Sequence, residues 1–312
     1  MNGRICVYIA ICFVAIFAAA ICIAGDGDRP AGKTVTVTVQ NTDAPRSMPV
    51  TAARPSDARF KIVQVYVALC DNRYQGIEKV PASLGDGQKP STNLYWGAMY
   101  GVKTFFRKSY NWKVWPYFNA ANKKRGILDV AIFESQGLGP KVYVVAFAYA
   151  GNRMRDTLRD FFAAAAGEKK AIIETHVNGK KFQLPIEGFA DLVCFVGHNG
   201  LMDVKPGTLG SFRPAAVHPG NAVVLACKSQ VNFSPILEKL NCNPLITTTT
   251  FMAPEAYTLD AIVREWAFGG TAEMIRREAA KVYAKYQNCH VSAAMQIFYA
   301  HGKVNKNGKK TD

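Results

Sequence analysis

The sequence predicts an α/β fold: a mainly parallel sheet flanked by helices on both faces, with a β-hairpin inserted before a histidine-bearing strand. Three observations predict it. Strand-length apolar runs alternate with segments of helical apolar spacing, the pattern of a parallel sheet with crossover helices. Two successive apolar runs, Asp191–Gly200 and Asn221–Ser229, end on a reactive side chain followed by turn formers. The chain has 312 residues, 49% hydrophobic and 20% charged, enough to bury a globular core.

Residues 5–24 form an uncharged apolar run behind Arg4. This reads as an export signal, with Ala24 before Gly25 as a cleavage point. The run is also long enough to stay as an uncleaved membrane anchor. Either way the chain is expected to work outside the cytoplasm, periplasmic or secreted. A lipoprotein signal fits less well, because Ile21 precedes Cys22 where a small residue is wanted. Residues 25–58 are rich in Gly, Pro, Thr, Asp and Arg and read as a flexible linker, with KTVTVTV as a short strand inside it.

The folded domain is expected over residues 59–300. Lys61–Cys70 is a strand, and residues 71–91, full of turn formers, are a candidate binding loop at its C-terminal end. The apolar spacing of Asn93–Lys108 predicts a helix. Leu128–Phe133 and Lys141–Ala150 are strands. Asn152–Ala166 is a helix capped by Asn152 and stopped by Gly167. Asn178-Gly179 between alternating runs in Ala171–Ile186 marks the hairpin. The His198 and Cys227 strands follow. Then come a short helix at Pro235–Leu240, a strand at Pro244–Phe251, and helices at Pro254–Phe268, Ala272–Tyr286 and Ser292–Ala300. Residues 301–312 read as a disordered basic tail.

Net charge is +15, but the basic residues are scattered and no nucleic-acid module appears, so no specific nucleic-acid partner is expected. Of eight cysteines, three lie in the export segment. Cys70 and Cys194, inside apolar runs, read as buried small hydrophobes. A Cys242–Cys289 disulfide is open, and the odd number left after residue 24 implies at least one free thiol unless pairing is intermolecular. No cofactor is implied. His176, His198 and His218 share no metal-ligand spacing, so no metal site is expected. The aromatic stretch Tyr110–Phe118 is a packing segment, with a substrate platform as the rival reading.

A thiol and an imidazole at the ends of neighbouring parallel strands suit nucleophilic catalysis, with Cys227 as nucleophile and His198 as its base. Lys228 adds positive charge that favours thiolate. Each residue also has a plain reading: a core thiol after Val-Val-Leu-Ala, and a turn histidine at a strand end.

With these motifs in place, the chain resembles the caspase-like fold of the clan CD cysteine peptidases: caspases, metacaspases, legumain, gingipains, separase and the CHAT domains. The likeness rests on an apolar strand ending VCFVGH198 and a second ending VVLAC227. It spans residues 60–300 in topology but only about twenty residues of recognisable motif, by the sequence-pattern reading above. It implies peptide-bond hydrolysis through an acyl-enzyme. His198 would be general base and Cys227 nucleophile, and Asn199 or Gly200 would hold the oxyanion with the Cys backbone. The usual His-Gly pair is interrupted here by Asn199, and Leu225 stands where caspases carry Gln and metacaspases Asp, so caspase-type Asp specificity does not carry over. Asp71, with Asn72 beside it, is a positional guess for binding a basic substrate residue. The expectation is thus an exported cysteine peptidase acting on a peptide or protein. The alternatives are a non-catalytic binding or scaffold domain of the same fold and a thiol amidase.

Overall fold

The computed structural model describes residues 39–41, 60–75, 79–115, 126–137, 139–177, 180–304 and 310–311. The export segment, most of the 25–58 linker and Asn178-Gly179 lie outside them. Among the described residues no helix is long and apolar enough to cross a membrane.

The strands are β1 (Val39–Asn41), β2 (Phe60–Ala68), β3 (Trp112–Val114), β4 (Ile127–Ser135), β5 (Lys141–Tyr149), β6 (Lys170–Val177), β7 (Lys180–Glu187), β8 (Leu192–Val196), β9 (Asn221–Leu225), β10 (Asn243–Thr248) and β11 (Phe298–Ala300). The helices are α1 (Val102–Lys108), α2 (Met154–Ala165), α3 (Ser229–Lys239), α4 (Ala256–Ala267), α5 (Ala272–Gln287) and α6 (Val291–Ile297).

One sheet of eight strands runs in the order β11-β10-β9-β8-β2-β5-β4-β3. Its centre, β5-β2-β8-β9-β10, is parallel throughout, while β4 and β11 are antiparallel to their neighbours. β2 sits in the middle because it is apolar at every position but a few: Ile62, Val63, Val65, Tyr66 and Val67 are all buried, as a strand covered on both faces requires. Alternate residues go to opposite layers. Val63, Val65 and Val67 pack with α1, α4, α5 and α6, and Ile62, Tyr66 and Ala68 pack with α2 and α3. Chain order reverses between β2 and β8, so the C-terminal ends of these strands and of β9 form the crevice where such sheets hold ligands.

β6 and β7 pair antiparallel and, with β1, form a separate three-stranded sheet ahead of β8. Val39–Asn41, inside the expected linker, is therefore paired strand. In the tail, expected to be disordered, Lys303–Val304 pairs with Lys310–Thr311.

Four expected elements need correction. The helix predicted over Asn93–Lys108 exists only at 102–108. Residues 93–101 fold as turns around buried Asn93, whose carbonyl accepts from Trp96, Gly97 and Ala98. Gly97 and Gly101 lie against backbone so closely that a side chain at either would collide, so their apolar neighbours pack from turns rather than one helical face. α2 begins after a 3-10 turn at Gly151–Arg153, and Asn152 does not cap it; its amide oxygen accepts from Gln88. α3 starts at Ser229, not Pro235. Pro235 is inside the helix, and the buried Ser229 hydroxyl anchors the first turn to Val224 O at 2.9 Å and Thr248 Oγ1 at 3.1 Å. The last expected helix ends at Ile297, and residues 298–300 become the edge strand β11.

Candidate active site

His198 and Cys227 close neighbouring parallel strands. The β8–β9 register runs Leu192↔Asn221 to Val196↔Leu225, which carries both reactive residues to the same C-terminal edge. The backbone ladder continues for one more bond, Gly197 N–H to Leu225 O at 3.2 Å, and then stops. Gly197 has φ +148° and lies against the Ala68 carbonyl, a conformation and a closeness that suit only glycine.

Past that point the Asn199 side chain takes over the join between the two turns. Its Nδ2 donates to Cys227 O at 2.6 Å and to Asn232 Oδ1 on α3 at 2.9 Å. Its Oδ1 accepts from Leu201 N–H at 3.1 Å, capping a 3-10 turn at Gly200–Met202. Asn199 is fully buried and both of its side-chain N–H groups are used, so this amide is a clasp and not a free donor. Gly200 N–H is bonded to His198 O at 2.9 Å, which removes Gly200 as an oxyanion donor. Gly200 also packs on Met154 and Leu158 of α2, with no room for a side chain. Among the described residues the Asn199 backbone N–H has no backbone acceptor, and the Cys227 backbone N–H faces its own sulfur.

His198 is buried, 7% exposed, and its Nε2 meets Asp203 Oδ2 at 2.6 Å. Asp203 ends the same 3-10 turn and is half exposed. The sequence signal for it, a carboxylate five residues after a strand-end His, is visible only once the turn is known to bring the chain back.

Cys227 is partly exposed. Its thiol donates to Met252 O and accepts from Met252 N–H, both at 3.5 Å. Burial pushes the thiol pKa up; the Met252 backbone bond and the Lys228 charge pull the other way without cancelling it. Lys228 acts on the thiol in the expected direction, and burial outweighs it. Lys228 itself is left-handed (φ 50°), the turn that brings α3 directly onto the strand end. Its N–H bonds Thr250 O at 2.9 Å and its Nζ lies 4.6 Å over the Phe251 ring. Among the described residues no hydrogen bond joins Sγ to the imidazole. Each has its own partner, Met252 and Asp203.

The other candidates fall away from the reaction centre. Asp71 is 6% exposed; its Oδ1 accepts from Arg73 N–H at 3.0 Å and it fills the space beside Gly87 and Gly151. Asn72 pairs twice with the Val80 backbone, at 2.8 and 3.0 Å. Both shape the loop after β2. Cys70 and Cys194 are buried, with the Cys70 thiol raised to about 12 by burial and the Cys194 thiol raised further. No disulfide joins Cys242 and Cys289. Trp112 and Trp115 are buried with their indole N–H groups on Asp260 and Glu134, so these two rings are packing, while Tyr110 is exposed; Tyr117 and Phe118 lie outside the described residues. His218 sits against Pro219 O. Among the described residues no group of three or more His, Cys, Asp or Glu could hold a metal ion.

Comparison of the chain with protein-family models, with curated proteins and with solved structures found no match.

Proposed function

We propose that this chain is an exported cysteine hydrolase of caspase-like architecture, a peptidase working through a Cys227–His198 dyad. One observation carries the reading: the two residues close adjacent parallel strands at the edge where the sheet's order reverses, with Asn199 stitching one turn to the other.

The chemistry follows from the groups at hand. Asp203 occupies Nε2 of His198, so Nδ1 is the nitrogen left to take the Cys227 proton. Sγ attacks the scissile carbonyl carbon as its proton passes to His198. The oxyanion is met by the backbone N–H groups of Asn199 and Cys227, at the point where the ladder stops. Collapse expels the amine, which takes the proton from His198, and leaves a thioester. His198 then deprotonates a water that attacks the thioester, releasing the acid and restoring the thiol. At rest the thiol is bonded to Met252 and the imidazole to Asp203, so substrate must draw the dyad together, a tightening common in enzymes solved without substrate.

The raised thiol pKa favours a second reading, a non-catalytic binding domain of the same fold. A thiol amidase would share the dyad and differ only in substrate. Cys227→Ala and His198→Ala separate the first two. Each should lower hydrolysis of a fluorogenic peptide library by at least about 10³-fold while circular dichroism stays unchanged. Full activity in Cys227→Ala would remove the proposed mechanism.

A further inference from the structure

The parallel strands have a second edge. Lys61 lies at the start of β2 and Asn221 begins β9, the strands whose far ends lead to Cys70 and Cys227. At this N-terminal edge, bounded by the α4–α5 loop and the end of β11, lies a cavity of about 770 Å³. Small-molecule sites are commonly about 300–1,000 Å³, with apolar walls and a few placed polar groups. Here buried Leu245 and Ile275 give the apolar surface, with Trp266 and Ala300 beside them.

The polar groups on the wall are mostly donors. The Trp266 indole N–H is bonded to no described residue, whereas those of Trp96, Trp112 and Trp115 meet the carboxylates of Asp129, Asp260 and Glu134. The Asn221 amide oxygen accepts from Asn243 at 3.0 Å, and its own amide N–H groups are bonded to no described residue. The Lys61 ammonium lies 4.8 Å over the Trp266 ring and donates once, to Ala267 O at 2.9 Å, which leaves its other N–H groups for a ligand. Among the described residues no carboxylate pairs with it. Glu273, the carboxylate on the wall, is held by Arg276 at 3.2 Å. His301 is engaged elsewhere, with Nε2 at 3.1 Å from Thr247 Oγ1. The sixteen-residue α5 begins at the cavity, and the N–H groups of Ala272 and Glu273 have no backbone acceptor, which adds to the positive potential.

One uncompensated cation, neutral donors and an apolar wall match a single carboxylate on an apolar body. A phosphate dianion calls for more positive charge than Lys61 supplies. We propose that this cavity binds a small monocarboxylate, its carboxylate on Lys61 and the Trp266 indole N–H and its apolar body on Leu245 and Ile275. A fatty acid and the C-terminus of a short peptide share that chemistry. The site stands at the edge remote from Cys227 and is separate from the proposed dyad.

The test titrates the purified chain with octanoate and with N-acetyl-leucine, each against its neutral amide, and reads tryptophan fluorescence and saturation-transfer NMR. At least one acid should bind about tenfold more tightly than its amide, the size of losing one charge-assisted hydrogen bond. Lys61→Met keeps the stem and removes the charge; it should weaken the acid about tenfold and leave the amide unchanged. Trp266→Phe should abolish the fluorescence response, because the other three tryptophans are buried. Octanoate binding alone supports the site and assigns it to lipid-derived acids. N-acetyl-leucine binding alone supports it and assigns it to peptide termini, and binding of both supports a site that reads only the carboxylate and an apolar body. Neither acid binding, or acid and amide binding alike, overturns the proposal, and so does an acid affinity unchanged in a folded Lys61→Met chain. A fluorescence response that survives Trp266→Phe places the ligand elsewhere and overturns it too. The comparison of acid with amide uses the wild-type chain alone, so it decides even where a variant melts.

Discussion

β2 and β9 end alike in sequence and differently in space. One closes Val-Ala-Leu-Cys70-Asp71, the other Val-Leu-Ala-Cys227-Lys228, and both reach the C-terminal edge of the same sheet. After Cys70 the chain folds back over the thiol. Gln75 Nε2 bonds its sulfur at 2.8 Å, Asn93 holds its backbone N–H and carbonyl at 3.0 and 2.8 Å, and the thiol is sealed. After Cys227 a single left-handed residue turns the chain straight into α3, and the cysteine stays partly exposed. An apolar run, a cysteine and a charge therefore do not define a nucleophile. The turn that follows decides whether the thiol is covered.

The widest gap between the two ends should appear in their reactivity. Iodoacetamide on the folded chain should modify Cys227 at least about 100-fold faster than Cys70 or Cys194, because only accessible thiol that can ionise reacts. The Cys227 rate should still be climbing at pH values above the ordinary thiol pKa, since burial holds this thiol up. Peptide mapping after timed quenching measures this, and equal labelling of Cys70 would erase the contrast.

A smaller effect tests the partner that only the β8–β9 edge possesses. Asp203→Asn should lower kcat by about 100-fold with KM little changed, because Asn removes the negative charge that steadies the imidazolium formed when His198 takes the thiol proton and can turn its amide N–H toward Nε2. The pH profile of kcat should shift as well. A parallel loss through KM alone would make Asp203 a substrate contact instead of a positioning residue.

The smallest effect concerns stability beside the thiol. Burial raises the Glu255 pKa, so the folded chain holds this proton more tightly than the unfolded one. Stability on this account is highest below the ordinary carboxylate pKa and is lost as pH rises through the raised value. Glu255→Gln should remove that loss, stabilising the chain at neutral pH by less than about 1 kcal/mol and flattening the acid side of its melting curve. Thermal melts across the acid-to-neutral range check it; a variant less stable at neutral pH would mean that the charge itself holds the fold.

The parallel strands were legible because each is a short apolar run buried on both faces, and His198 and Cys227 stood out at their ends. What escaped depended on contacts distant in sequence. Asn93 and the crowded glycines at 97 and 101 break a helical apolar pattern into turns only because the end of β2 is there to bind. Ser229 can start α3 only because Val224 and Thr248 satisfy its hydroxyl, so Pro235 looked like the start. Asn199 resembled a turn former, and its amide's role needed Cys227 and Asn232 beside it. Asp203 and Glu255 carry no local signature at all; each is defined by what the fold brings to its carboxylate.

The two bonds from the Met252 backbone to the Cys227 sulfur have a consequence for chemical durability. Peroxide and disulfide exchange attack through the thiolate, so a thiol that keeps its proton until something displaces it is a slow target for both. A chain carrying one partly open thiol at its sheet edge can in this way meet an oxidising environment without losing that sulfur to sulfenic acid or mixed disulfide.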